Sequence, residues 1–360
     1  MKIAIICFSK HGENTGKKIV NSLGDTNQVT LECKSKYTST TINESIGEWT
    51  SHEFDESDAL VFIGSCGIAV RAIAPFVSSK KTDPAVVVID ELGNFVIPIL
   101  SGHLGGANVL ANELANSIGA TAVITTGTDV NGKLAPDVFA KRNNCKIDNM
   151  KAAEQVAAAI IHGESISLYT DMDVIGSVPN YIKCQDLSEY GEECGSGEVN
   201  SHSQEPHSIL VSPFKKHRPE DNRTMWIIPK VYAIGIGCRR DTDKGLIKNA
   251  LESAINEFGI DMRSIISLGS IDLKKDETGL LETAKEEKLN IEFFTESELL
   301  SVKGDFSKSQ FVQGITGVDC VCERSAAKIA GEGYQMVMHK TVYDKVTIAV
   351  AMKKGIMRFE

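Results

Sequence analysis

Pro98–Ala120, PILSGHLGGANVLANELANSIGA, holds four glycines and one histidine, and three of the glycines crowd the front of an apparent helix. Ala107, Leu110, Ala111, Leu114, Ala115 and Ile118 recur at helical spacing, whereas Asn108, Asn112, Glu113 and Asn116 take the other face; Gly119 is the expected stop. FVIPIL before it reads as a strand. Strand, glycine loop and amphipathic helix together form the repeating unit of an α/β fold. Outward from there the same alternation continues: KIAIICF, a helical stretch near Gly16 to Leu23, VTLEC, ALVFIG, a helix from about Gly67, AVVVID and, beyond the quoted helix, TAVITT. The pattern predicts an amino-terminal domain, residues 1–142, built on a mainly parallel sheet. Within it AVVVIDELGNFVIPIL reads as a hairpin that turns at Asp90 to Asn94.

From about Asn143 the pattern changes, and after Ser188 glycine, serine, glutamate and proline replace apolar periodicity, with one short strand at Ile209 to Val211. Residues 143–229 are expected to form a small middle module containing a polar loop or linker. A carboxyl-terminal α/β domain, 230–360, opens with KVYAIGIGCRR and a helix whose apolar face is Leu246, Ile247, Ala250, Leu251, Ala254 and Ile255. SIISLGS, IEFF, YQMVMH and KVTIAVAM complete it as strands.

The chain has 360 residues, 42% hydrophobic and 24% charged, which suits an ordinary soluble protein of two or three domains. No apolar run approaches the roughly 20 residues of a membrane span, and MKIAIICFSK reads as a first strand rather than a signal peptide, so a cytoplasmic protein is expected. A net charge of −10 argues against nucleic-acid or anionic-membrane partners and leaves local basic pockets open. Nine cysteines without a C-x-x-C pair suggest reduced thiols rather than a disulfide framework or a metal site.

Three nucleotide signatures fail. HGENTGKK, His11 to Lys18, has one residue too few between its glycines for a phosphate-binding loop, and Lys18 replaces the Ser or Thr. GHLGGAN lacks the lysine. GIGCRR, Gly235 to Arg240, puts Arg240 where the third glycine of a dinucleotide fingerprint belongs. What survives is a helix start whose amide groups and partial positive charge suit an anion, either phosphate or carboxylate.

Three apparent strand ends carry such loops: Gly64-Ser65-Cys66-Gly67 with Arg71 one turn on, Ser101-Gly102-His103 with Gly105-Gly106, and Thr125-Thr126-Gly127-Thr128-Asp129. Parallel strands would bring all three to one edge of the sheet. His103 has the chemistry for proton transfer near neutral pH, or could simply cap a turn. Asp129 could orient it or act as base, or be a turn residue. Cys66 could be a helix-start nucleophile but has no identifiable His partner. Arg71 could grip a carboxylate, or lie in solvent. Glu91 in the hairpin turn ranks lower, at the far end of a strand from His103. Glu323, near a helix start in GITGVDCVCERSAAKIA, suits either a functional role or the helix dipole. Arg239 and Arg240 follow a strand end as anion contacts.

IGSCGIAVRAIAP, VVVIDELGNFVIPILSGHLGGANVLANELA and AVITTGTDVNG resemble the amino-terminal region of the cobalt-precorrin-5A hydrolase family of anaerobic cobalamin biosynthesis. YAIGIGCRRDT and GVDCVCERSAA resemble its carboxyl-terminal domain. The resemblance implies opening of the δ-lactone of a cobalt-containing corrinoid and loss of its C20 fragment as acetaldehyde. It implies no cofactor of the protein's own, because cobalt arrives with the tetrapyrrole substrate, and a transient hand-over to other enzymes of the pathway. On that reading His103, Asp129 and Glu323 are the catalytic candidates. Gly64, Gly67, Arg71, Ser101, Gly102, Gly105, Gly106, Asn108, Thr126, Gly127, Thr128, Gly235, Gly237 and Arg239 are the substrate-binding candidates. The substrate's carboxylates would lie between the two terminal units. The alternatives are a tetrapyrrole carrier or a nucleotide-binding sensor that cleaves no bond, and, more weakly, a methyltransferase.

Overall fold

IAIIC (Ile3–Cys7), ALVFI and AVVVI are apolar at every position because each forms a strand covered on both faces, and a parallel strand in that position has no polar side. The computed structural model describes residues 1–23, 27–38, 41–80, 82–190 and 206–359, in two units, Met1–Val138 and Phe139–Glu360. In the first, strands β1 (Lys2–Cys7), β2 (Gln28–Cys33), β3 (Ala59–Ile63), β4 (Ala85–Ile89), β5 (Phe95–Leu100) and β6 (Thr121–Ala122) alternate with helices α1 (Lys10–Leu23), α2 (Ile46–Glu56), α3 (Cys66–Ile73) and α4 (Ala107–Ile118). Short helices α5 (Gly127–Val130) and α6 (Pro136–Arg142) follow. The sheet order is β2-β1-β3-β4-β5-β6.

Ile3, Ile5, Val61, Ile63, Val87 and Ile89 face Ile19 of α1 and Leu110, Ala111 and Leu114 of α4. The intervening Ala4, Ile6, Leu60, Phe62, Val86 and Val88 face Trp49 and Phe54 of α2 and Ala69 and Ile73 of α3. At roughly 1.5–3 kcal/mol for each large apolar side chain removed from water, these two layers are the main cohesive force of the unit.

β5 is the exception to the parallel order. Only Asp90–Asn94 separate it from β4, too few residues for a crossover, so it returns antiparallel, with Ile89 opposite Val96 and Val86 opposite Leu100. Asp90 closes the turn by accepting the amides of Leu92, Asn94 and Phe95. The register slips beside Pro98, which has no amide to donate. β6 then pairs parallel to β5. Two strands therefore end at the edge where β1, β3 and β4 begin.

The second unit holds two larger sheets. β7 (Cys145–Ile147), β8 (Ile166–Tyr169), β10 (Ile182–Gln185), β11 (Ser208–Val211) and β12 (Thr224–Pro229) pair in the order β10-β8-β11-β12-β7, with α7 (Met150–Ile161) packed on them. This is a regular five-stranded sheet where one short strand was expected; the most polar stretch of the loop, 191–205, lies outside the described residues. The other sheet, β15-β14-β13-β17-β16, is formed by β13 (Tyr232–Cys238), β14 (Ile265–Ile271), β15 (Ile291–Phe294), β16 (Gln335–Tyr343) and β17 (Val346–Met352). α8 (Lys244–Glu257) packs Ile247, Leu251 and Ile255 on one face of it. α9 (Thr278–Glu286), α10 (Glu296–Ser301), α11 (Gln310–Thr316) and α12 (Val321–Ala330) complete the region, and β9 (Asp173–Ile175) pairs parallel with β18 (Ile356–Arg358). The α/β class expected for each terminal region is what is observed. No helix among the described residues is long and apolar enough to cross a membrane.

Candidate active site

Because β5 and β6 run together, the loops that follow them meet. Ser101, directly after β5, takes a left-handed backbone at φ 56°, unusual for a side chain of its kind, and its hydroxyl donates to the Asp83 carbonyl at 3.0 Å. That turn re-aims the chain over the sheet edge. Gly105 lies so close that a β-carbon would stand 2.4 Å from the Ser101 Cβ and 2.9 Å from its carbonyl oxygen. Gly106, at φ 89°, caps α4 in a conformation that glycine adopts without strain. The amides of Gly106, Ala107 and Asn108 donate to the carbonyls of His103, Ser101 and Gly102. Three donors of the helix start are thus consumed in closing the loop rather than presented outward.

The loop presents His103 instead. Its Nε2 lies 2.8 Å from Asp129 Oδ2 and 3.1 Å from Thr128 Oγ1, and its Nδ1 lies 3.3 Å from Asp137 Oδ1. Asp129 and Thr128 sit on α5, a single helical turn, and Asp137 on the first turn of α6 behind Pro136, a favoured helix start. The hydrogen bond to Asp137, opposed by burial and reinforced by Asp129, raises the imidazole from 6.5 to about 9. Burial pushes the Asp137 carboxyl up, but His103 outweighs it and holds the group below its ordinary value. At neutral pH the ring is an imidazolium donating from both nitrogens.

Asn108 completes the cluster. Its Nδ2 donates to Thr126 Oγ1 at 2.9 Å and to Asp129 Oδ2 at 3.1 Å, which fixes the amide orientation. Its buried Oδ1, beside Gly102, has no hydrogen-bond partner among the described residues. Leaving such an acceptor unpaired costs about 1–3 kcal/mol. The side chain of Asp129 stays 43% exposed, against 17% for His103, so the carboxylate is the open face of the site. Ser101, Gly102, His103, Gly105, Gly106, Asn108, Thr126, Gly127, Thr128 and Asp129 therefore come together, and Asp137 joins them without having been anticipated.

Gly64, Cys66, Gly67 and Arg71 do not join them. They follow β3, whose carboxyl end lies with the hairpin turn and Glu91 at the opposite edge, roughly 17 Å away along five strand residues. The expected meeting of three loops required β5 to run parallel, and the short hairpin reverses it. Arg71 turns back to donate to the Gly67 carbonyl at 3.2 Å, and Cys66 is exposed.

In the second unit Gly235 lies mid-strand beneath α12, where a β-carbon would stand 1.7 Å from the Cys322 carbonyl oxygen; the residue admits the helix. Glu323 on that helix is fully buried. It accepts from the Ser307 amide at 2.6 Å, the Ser307 hydroxyl at 2.8 Å and the Lys340 amide at 2.7 Å, with His339 Nδ1 at 3.3 Å. Burial would raise its carboxyl, but these donors hold it below the ordinary value. Gly237 and Arg239 line a cleft of about 830 Å³ together with Arg240, Lys274, Lys340 and Lys345.

Residues 48–129 match the family described as Cobalamin synthesis G N-terminal, 134–229 the Cobalamin biosynthesis central region, and 232–351 the Cobalamin synthesis G C-terminus. Cobalt-precorrin-5A hydrolase of Priestia megaterium is 34% identical over 83% of this chain and 79% of its own. The protein of that name from Salmonella typhimurium is 35% identical over 74% of this chain and 75% of its own. The solved structure of CobE, a protein from the cobalamin (vitamin B12) biosynthetic pathway, covers 35% of this chain and 92% of its own at 30% identity and a TM-score of 0.33. With relatives of that similarity over most of its length and all three regions matched in order, the chain belongs to the cobalt-precorrin-5A hydrolase family.

Proposed function

We propose that this protein opens the δ-lactone of cobalt-precorrin-5A with water and releases the C20 fragment as acetaldehyde, giving cobalt-precorrin-5B, with the His103 cluster handling the protons. Family membership supports the hydrolase role in cobalamin biosynthesis over a carrier or a sensor. The observation that carries the chemical reading is an imidazole held between two carboxylates, Asp129 at 2.8 Å and Asp137 at 3.3 Å.

Lactone opening needs a base for the attacking water and a donor for the charge that builds on oxygen. A ring raised to about 9 is poorly suited to be the base at neutral pH and well suited to be the donor. Asp129, with its exposed carboxylate, takes the water's proton; once neutral it releases the Nε2–H of the His103 imidazolium, which stabilises the developing oxyanion and protonates the departing alkoxide while Nδ1 stays on Asp137. The alcohol so released returns its proton to the now neutral His103, its carbon–carbon bond breaks to form the acetaldehyde carbonyl, and the bonding electrons pass into the conjugated macrocycle. Asp137 keeps the ring charged and aimed. Cobalt enters with the substrate, and no step is assigned to a cofactor held by the protein.

Anaerobic incubation of the purified chain with cobalt-precorrin-5A tests the reading, with acetaldehyde and the matching mass loss expected. Tight binding without acetaldehyde would favour the carrier instead. Full turnover by a folded His103→Ala variant would remove the histidine from the mechanism.

A further inference from the structure

We infer that the cleft lined by Gly237 and Arg239 in the second unit holds the macrocycle of a tetrapyrrole polycarboxylate, its flat face on apolar side chains and its carboxylates on the surrounding cations. The inference rests on the hydrolase reading for the identity of the occupant and adds where on this chain the ring lies.

The cleft's volume, about 830 Å³, is near the upper end of small-molecule sites, roughly 300–1,000 Å³. Its apolar surface comes from three separate elements rather than from one helix. Phe311 and Ile315, one turn apart on α11, are 75% and 64% exposed; Val342 on β16 and Leu273 just beyond β14 are 63% and 53% exposed. Large apolar side chains exposed together in one concavity mark a binding surface, because covering them is favourable.

Charge narrows the class of that occupant. The lining has five basic side chains and one acidic, Asp344, in a chain whose net charge is −10. Arg240 is paired with Asp276 and Lys274 with Glu277, each at 3.0 Å. Arg239, Lys340 and Lys345 make no ion pair among the described residues, and they come from the loop after β13, from β16 and from the β16–β17 turn. An apolar floor with cations around it complements a plate with carboxylates at its periphery. A small inorganic anion would leave the floor uncovered, and a neutral lipid would leave the cations unanswered.

Uroporphyrin, a flat tetrapyrrole octacarboxylate, serves as the probe with the full chain, and benzene hexacarboxylate is the comparison that carries charge without the macrocycle. Fluorescence titration should show saturable uroporphyrin binding, with benzene hexacarboxylate far weaker. The exposed-site variants Phe311→Asp and Lys345→Glu should each weaken uroporphyrin about tenfold with unchanged thermal melting, and His103→Ala should leave it unchanged. No saturable binding, equal affinity for both anions, or affinity unmoved by both cleft variants would overturn the inference. So would a Phe311→Asp variant that splits a dimer while keeping the probe's affinity, which would give the patch to a second copy of the chain. Binding that follows His103 rather than Phe311 overturns the cleft and leaves the hydrolase reading standing; cleft binding without acetaldehyde formation overturns the hydrolase reading.

Discussion

Replacing Asp137 by asparagine keeps the shape of the His103 site and removes one of the two negative charges beside the ring. In the intact protein the ring titrates at about 9 rather than 6.5, and the bond to Asp137 is the largest cause. The variant should therefore lower the midpoint by more than one pH unit, each unit corresponding to about 1.4 kcal/mol of differential interaction. The histidine Cε1 proton, followed by NMR against pH and assigned with His103→Gln, reads that midpoint directly. Stability is linked to the same titration. Because the folded value lies above the unfolded one, the stabilisation is complete below pH 6.5 and is lost as pH rises through about 9. For a side chain only 17% exposed, the full window corresponds to about 3 kcal/mol as an upper figure. Urea unfolding at pH 6 and pH 10, taken as the difference from His103→Gln, should show that loss in the wild type and less than half of it in Asp137→Asn. If His103 donates a proton in turnover, the alkaline limb of kcat should move down with the NMR midpoint. A wild-type ring that titrates near 6.5 would refute the charged-ring assignment. A variant midpoint still near 9 would place the whole effect on Asp129.

Gly105→Ala forces a β-carbon against the Ser101 Cβ and carbonyl, and should cost about 1–3 kcal/mol, seen as a lower Tm; an unchanged Tm would mean that the loop is slacker than its geometry. Gly106→Ala meets no atom within 4 Å, so its cost of about 1–2 kcal/mol should come from the left-handed backbone alone. Glu323→Gln leaves donors from Ser307 and Lys340 imperfectly matched and should lower stability by about 1–3 kcal/mol in urea. Turnover per folded molecule should persist in that variant, and its abolition would return Glu323 to the reaction.

The fold of the two terminal regions was legible because their elements announce themselves locally: α4 by apolar spacing and Gly119, β4 and β5 by a turn rich in Asp, Gly and Asn. The middle sheet was not, since β7, β8, β10 and β11 have only three or four residues and their order is set by partners far along the chain. His103 and Asp129 stood out as chemistry at strand ends. Asp137 did not, because an acidic residue behind a helix-starting proline is already explained by the helix dipole, and nothing local reports an imidazole 34 positions earlier.

Strand direction decides which residues share the site. Apolar periodicity gives a strand its faces but no sense along the sheet; that comes from the length of the connection before it. The five residues between Ile89 and Phe95 close a hairpin and can do nothing else, so the reversal of β5 was already contained in the turn. Once β5 is reversed, the loop after it cannot stand beside the loop after β3. It stands where β4 begins, with the Ser101 hydroxyl on the Asp83 carbonyl, and β6, parallel to β5, delivers Thr126, Thr128 and Asp129 to the same edge. The anion site read into the glycines is altered by the same step. To make so tight a reversal the loop spends the amides of Gly106, Ala107 and Asn108 on its own carbonyls, and the positive charge offered to a substrate comes from the imidazolium of His103 instead.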